Sequence, residues 1–444
     1  GSAPELAARL LPPQVASPAN SAVPALETAS GGLPLDAVVR LALENNPQLA
    51  AIRQQRGIAA AGIVIARTYP HNPIAQAQLL SVTGPPDTVL NSFQYVPQVT
   101  LSVEIRRQRS FRKQAAFAAL TRTDWEIAFQ EVTFAVNAVR AFDNLLYRQA
   151  KLAVTEEFLR LNQQAAEQVK RLVEGGTLRP PDLILARVEV SDIQSQLGLG
   201  RTSLIAARRD LARAVGVPEV RDFQLSGTLA RPAAAASAEE LLEAALEHRP
   251  DLFAKRAAIA EAEARLRLQI ADRFGNPNIG PVYEFDPSRL SYVGGQISVP
   301  IPIFNLKTGE IQQLRAQVAQ AQAFLRQTEV EIRQDVSAAV QRLTEAQSWV
   351  TNYQQEVLPT MRKSLENMET LFKQGQPGVD VLRVLEVRRK LLRAQDGYLD
   401  ALLVYTQTLA DVALAVGDPA LAMGLYQSPN LPHPTQPCPQ ERHL

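Results

Sequence analysis

The chain of 444 residues contains one cysteine, Cys438, so no disulfide can close within it. Aromatic residues make up only 6%, few for the several compact cores that such a length otherwise implies. Charge nearly cancels at +1, which leaves no overall field to attract nucleic acid. No run of about 18 apolar residues occurs, so no segment reads as a transmembrane helix. The nearest, Tyr398 to Val416, is interrupted by Asp400, Gln407 and Asp411. There is no P-loop, no nucleophile elbow and no His-Glu-x-x-His. His71, His248, His433 and His443 lie apart, without the spacing of a metal site. An enzyme, a cofactor and a resident metal are all argued against. The chain opens Gly1-Ser2 without a signal peptide, as a mature exported chain also would.

What is present is helix-forming sequence rich in Ala, Leu, Gln, Glu and Arg, interrupted by short alternating stretches. Residues 1–34 are rich in Pro, Ala and Ser and read as an extended arm. A helical pattern from Leu35 to Tyr69 ends before Asn72-Pro73. Ile74 to Val82 reads as a strand, Thr83 to Asp87 as a turn, and Phe93 to Ile105 as a second strand. In that strand Phe93, Tyr95, Val99, Leu101, Val103 and Ile105 alternate with polar residues. A helix from Arg107 to Val173 follows. Trp125, Ala128, Val132, Ala135, Val139, Phe142 and Leu146 hold a three-four spacing, as do Leu152 to Val173 after a phase shift. That predicts a narrow coiled-coil seam. Glu174-Gly-Gly-Thr-Leu-Arg-Pro-Pro181 ends the helix, a shorter one runs from Asp182 to Val215, and another from Ala238 to Asp272.

The order then repeats. Ala245-Leu-Glu-His-Arg-Pro-Asp-Leu252 echoes Ala42-Leu-Glu-Asn-Asn-Pro-Gln-Leu49, and Asn276-Pro277 echoes Asn72-Pro73. Gly375 and Asp380 stand where Gly176 and Asp182 do, and Asp411 to Gly417 matches Asp210 to Gly216. Residues 35–237 and 238–419 are thus expected to be two structural repeats, and 420–444 a proline-rich tail. Tyr292 to Asn305 reads as one strand: Val293, Ile297, Val299, Ile301 and Ile303 alternate with Gln296, Ser298, Pro300 and Pro302. A long helix from Leu306 to Phe372 follows, with a kink expected at Pro359. Equal lengths predict four rods, the two short helices after the first tip stacking on each other, and Leu35–Tyr69 stacking on Asp380–Val416.

Four two-faced strands at one end of a helical bundle need shared partners to satisfy their edges. Their length and alternation suit a transmembrane barrel closed by several copies, with an apolar outer face and a wet inner one.

The tandem repeat, the helix-strand-strand-helix order, the Ser298-Val-Pro-Ile-Pro-Ile-Phe-Asn305 junction and the tips at Gly176 to Leu183 and Gly375 to Leu382 resemble TolC-type outer-membrane efflux factors. The resemblance spans about Leu35 to Pro419. It implies a mainly α fold with a transmembrane β-barrel portion: a homotrimer sharing a twelve-stranded barrel, continued by a long α-helical barrel into the periplasm. It implies passive export from the outer membrane of a Gram-negative bacterium, with a periplasmic adaptor and an inner-membrane pump as partners. Tip residues Gly176, Leu178, Asp182, Leu183, Gly375, Val379, Asp380 and Val381 are then candidates for adaptor docking, and Asp182 and Asp380 also read as first-turn carboxylates. Glu104 and Arg106, with Pro300 and Pro302 opposite them in the second repeat, mark the barrel-to-tunnel junctions. Arg106, Arg107, Arg109, Arg112 and Lys113 form a basic cluster suited to lipid phosphates at the membrane boundary. They lack the aromatic platforms of a nucleic-acid site. Many members carry a lipidated N-terminal cysteine, which Gly1 to Gly32 lacks. A periplasmic coiled-coil adaptor or scaffold is the alternative; it leaves the four strands unexplained.

Overall fold

A computed structural model describes residues 32–81, 93–176, 179–218, 224–233, 236–374 and 381–424. In chain order the first half contains β1 (Leu33–Pro34), α1 (Leu35–Asn45), α2 (Pro47–Arg67), β2 (Ile74–Ser81), β3 (Phe93–Ser102), α3 (Gln108–Glu174) and α4 (Pro180–Val215). The second contains β4 (Leu225–Ser226), α5 (Ala238–His248), α6 (Pro250–Ala271), β5 (Asn278–Phe285), β6 (Ser291–Ser298), α7 (Thr308–Asn352), α8 (Leu358–Lys373), α9 (Val381–Val416) and α10 (Pro419–Met423).

The 67 residues of α3 form one unbroken helix, about 100 Å long at 1.5 Å per residue. Its counterpart is not continuous. Pro359 has no N–H to give the Gln355 carbonyl, and a π-turn at Tyr353–Val357 absorbs the misfit between α7 and α8. Each long helix starts from a residue in the left-handed region, Arg107 (φ 59) and Lys307 (φ 51).

Two helices expected to be continuous are each broken. Asn46 and Arg249 precede prolines and take extended backbone, ψ 116 and 122, because a following proline disfavours the helical region. Pro47 and Pro250 then start new helices at the position where their missing N–H is harmless. These corners also correct the expected stacking. Asn46 Nδ2 donates to the Ala214 carbonyl at 3.0 Å, and Arg249 Nη1 to the Ala415 carbonyl at 3.0 Å. So α4 runs on into α2, and α9 into α6. The reason is that a helix C-terminus leaves carbonyls unpaired, and the broken corner of the same repeat carries the donor that meets them.

The narrow seam predicted for α3 holds only toward the tip, where Ala165 and Val169 are its buried residues. At mid-height Ala135, Val136, Ala138, Val139, Phe142, Leu145 and Tyr147 are all buried. Helix α3 stands there between two clusters, one with Val38, Ala42, Leu204, Leu211 and Val215, the other with Leu241, Leu252, Ile332, Val336 and Ala413. Neighbours on several sides need more than an a/d stripe. Among the described residues only α9 is apolar and long enough to cross a membrane as a helix. Its apolar residues, Leu402, Leu409, Val412 and Val416 among them, are occupied in this core.

Two short strands that periodicity does not reveal, β1 and β4, pair in parallel, Leu33 with Leu225 and Pro34 with Ser226. Beyond Pro419, where the sequence has no readable pattern, α10 buries Leu421 and Ala422 in the core.

Strands β2, β3, β5 and β6 form one antiparallel sheet in the order β2-β3-β5-β6. The two repeats meet along β3 and β5, with Leu101 opposite Ile279 and Tyr95 opposite Phe285. Gly280 makes that pairing possible: a Cβ there would lie 1.6 Å from the Val99 carbonyl oxygen. The stretch expected as a single strand to Asn305 stops at Ser298. Pro300 and Pro302 could not have given ladder hydrogen bonds, and they fall outside it.

Candidate functional site

The sheet has two chemically different faces. The register aligns Leu79, Tyr95, Val99, Ile279, Phe285, Val293 and Ile297 on one side. Gln76, Gln78, Gln94, Gln98, Thr100, Glu284, Gln296 and Ser298 lie on the other. On the polar face Gln94 donates to Glu284 at 2.6 Å and Gln98 to Gln76 at 2.7 Å. On the apolar face Tyr95 stacks on Phe285 with ring centroids 5.1 Å apart. Leu79, Val99, Val293 and Ile297 are exposed, and β2 and β6 each have an edge with no partner among the described residues. An apolar surface on a sheet with two open edges calls for both a nonaqueous neighbour and further strands.

Below the sheet the two junctions interlock. Arg112 holds Glu104 with both guanidinium nitrogens, Nη2 at 3.1 Å from Oε2. Tyr69 reaches the same strand end, donating to the Ser102 carbonyl while accepting from the Glu104 N–H. Gln108 is 0% exposed; it donates to Asn276 Oδ1 at 2.6 Å and accepts from the Arg106 N–H at 2.8 Å. Arg106 Nη1 donates to the Gly275 carbonyl at 2.9 Å, with its guanidinium over the Phe274 ring. Pro300 packs on the other side of Gly275, where a Cβ would come within 2.6 Å of its ring. Gly275 also has φ 68, so glycine is required twice over. Burial, partly offset by Lys307 and Arg112, raises the Asp272 carboxyl above its usual range.

Of the junction residues expected from sequence, Arg106 and Pro300 therefore meet on one glycine, and Glu104 is clamped by Arg112. Pro302 is half-buried, with no contact that gives it a role. The strand ends Ser102 and Ser298 align Glu104 with Pro300, but five residues (103–107) lead to the first long helix and nine (299–307) to the second. Ile301, Ile303 and Phe304 in the longer link are exposed, Phe304 completely. Sequence reasoning missed Tyr69, Gln108 and Gly275. The duplicated Asn-Pro at 72–73 and 276–277 was a signal that chain near Gly275 turns sharply.

At the first tip Gly176 adopts φ 75 and closes α3 through a bond to the Val173 carbonyl. Asp182 accepts from the Arg179 N–H at 3.1 Å, the first-turn role expected of it, and Leu183 is half-buried. Leu178, Gly375, Val379 and Asp380 lie outside the described residues, and Val381 is the first residue of α9.

Between tip and core, Lys151 on α3 bridges Asp396 and Asp400 on α9, each at 3.0 Å, and donates to the Tyr147 hydroxyl. Burial lowers the Lys151 pKa, but these bonds outweigh it and the net shift is upward. Higher up, Arg231 pairs with Asp143, which is 1% exposed. Asp143 Oδ1 and Arg231 Nε and Nη1 have no hydrogen-bond partner among the described residues. Burial pushes the Asp143 carboxyl up to about 6, against the pull of Arg231.

Comparison with known proteins agrees with this architecture. The family described as Outer membrane efflux protein matches residues 241–418. The cobalt-zinc-cadmium resistance protein CzcC of Cupriavidus metallidurans is 24% identical over 380 residues, covering 84% of this chain and 87% of its own. Among solved structures, the outer-membrane channel OprN superposes with TM-score 0.70 at 16% identity, covering 86% of this chain and 89% of OprN. VceC of Vibrio cholerae gives 0.69 at 16% identity, over 86% and 96%. At these identities the structures speak for the fold. Sequence match and fold together make the chain similar to the outer membrane efflux proteins, with the family's match lying in its second repeat.

Proposed function

We propose that the chain is the outer-membrane duct of a tripartite efflux or export system, passing substrates passively from periplasm to exterior. The observation that carries this reading is the sheet: apolar on one face, polar on the other, open at both edges, and continued by helices about 100 Å long. Three copies would join their edges into a twelve-stranded barrel with the apolar face toward lipid and Gln76, Gln98 and Gln296 toward water. The same copies would close the helices into a tunnel. A coiled-coil scaffold would have no use for the exposed Val293 and Ile297.

In this reading the tips point into the periplasm. Gly176, Leu178, Asp182 and Leu183, with Gly375, Val379, Asp380 and Val381, receive the adaptor that connects to an inner-membrane pump. Glu104, Arg106, Pro300 and Pro302 turn barrel wall into tunnel wall. The basic cluster lies at the inner boundary of the membrane. The relative CzcC is named for cobalt, zinc and cadmium resistance, which makes divalent metal a cargo class to try first.

Extraction in detergent, sizing and single-channel recording test the proposal. A trimer that conducts in planar bilayers is expected. A monomer that stays in solution without detergent and passes no current would overturn it.

A further inference from the structure

The cations of the basic cluster are not equivalent. Arg112 is held by Glu104, and Arg106 by the Gly275 carbonyl and the Phe274 ring. Both are part of the junction itself. Arg109 gives one nitrogen, Nη2, to the Arg67 carbonyl at 3.1 Å. The side chains of Arg107 and Lys113 meet no acid and no hydrogen-bond acceptor among the described residues. Arg107 and Arg109 are exposed.

Their position concentrates the positive charge further. Arg107 precedes the first turn of α3 and Arg109 lies within it, and that turn has no acidic residue. The positive end of the helix dipole adds to their charge instead of offsetting it. The equivalent turn of α7 carries Glu310 beside Lys307, so the arrangement belongs to one junction only. On the sheet side are exposed apolar residues, Ile105 at 58% and, on the apolar face opposite Leu101, Ile279 at 44%. A cationic rim below an apolar rim matches the order of anionic headgroup and acyl chain in an inner-leaflet lipid.

We infer that Arg107, Arg109 and Lys113 form a site for an acidic phospholipid in the inner leaflet, the phosphate on the cations and an acyl chain along Ile105 and Ile279. The inference rests on the duct reading. A zwitterionic headgroup brings its own ammonium and cancels most of the attraction, so the site discriminates by headgroup charge. One such site per protomer is expected.

The test offers phosphatidylglycerol and phosphatidylcholine in equal amounts to the detergent-solubilised full-length assembly, with retained lipid read by native mass spectrometry. Phosphatidylglycerol should be retained in preference, and the triple variant Arg107→Gln, Arg109→Gln, Lys113→Gln should lose that preference by roughly ten-fold or more. Lys307→Gln should keep it. Inorganic phosphate in large excess should not displace the lipid, because phosphate has no chain to lay on the apolar rim. Equal retention of the two lipids, an unchanged preference in the triple variant, or displacement by phosphate would each overturn the inference. A protein that inserts into vesicles yet shows no preference defeats this inference alone. One that inserts into no bilayer defeats the duct reading with it.

Discussion

Asn46 and Arg249 occupy the same place in the two repeats, and each holds the end of a helix that arrives from the far tip. Asn46 accepts from the Gln48 and Leu49 N–H groups at the start of its own helix while donating to the Ala214 carbonyl. Arg249 donates to the Ala415 carbonyl and pairs with Asp251 at 3.0 Å. An amide and a guanidinium solve the same problem of unpaired helix-end carbonyls.

Asn46→Ala removes a cap and a clamp together and should cost about 1–3 kcal/mol. Thermal unfolding in detergent measures it. The neighbouring Gly216→Ala should cost at least as much, since Gly216 has φ 80 and a Cβ there would lie 2.5 Å from the Asn45 carbonyl oxygen. Unfolding midpoints equal to that of the parent would refute both roles.

Gly280→Ala should separate the two halves of the sheet, because its Cβ would overlap the Val99 carbonyl. Assembled oligomer and conductance should both be lost. Gly295→Ala, on the adjacent strand with nothing within 4 Å of the new atom, should leave them intact.

The Asp143–Arg231 pair gives a pH dependence with a definite sign. Burial raises the Asp143 carboxyl from 3.8 to about 6, so the folded protein binds this proton more tightly than the unfolded chain. The contribution is full below the ordinary value and is lost as pH rises through about 6. Relative to Asp143→Asn, the parent protein should gain on the order of 2–3 kcal/mol between neutral pH and about pH 4. Parallel unfolding curves for the two proteins across that range would show that the proton is not taken up there.

At the tip, Asp182 caps the first turn of α4, and its charge would also face a periplasmic mouth. Asp182→Lys and Asp380→Lys should change conductance or cation preference in single-channel recordings. Currents unchanged in both would leave Asp182 only its capping role.

Much of the fold was legible in the chain because its information is local. The proline-free run from Gln108 to Glu174 had to be helix, and the alternation from Phe93 to Leu101 had to be strand. The duplicated Ala42 and Ala245 motifs announced the repeat. Those motifs also contained Pro47 and Pro250, so the helix breaks were readable in principle; the periodicity on either side concealed them.

What the sequence determined by itself was the set of parts: two long rods, shorter rods, two-faced strands and a family likeness. Only the tertiary structure decided how the parts join. It placed α4 end to end with α2 and α9 with α6, and it seated Arg106 and Pro300 on the same Gly275. It also separated the arginines that hold the junction from those that face outward. Periodicity reports which side of an element is apolar, through contacts a few residues apart. Which distant segment meets that side depends on carbonyls left unpaired, on glycines that let backbones approach, and on acids within reach, and these are properties of the packed chain.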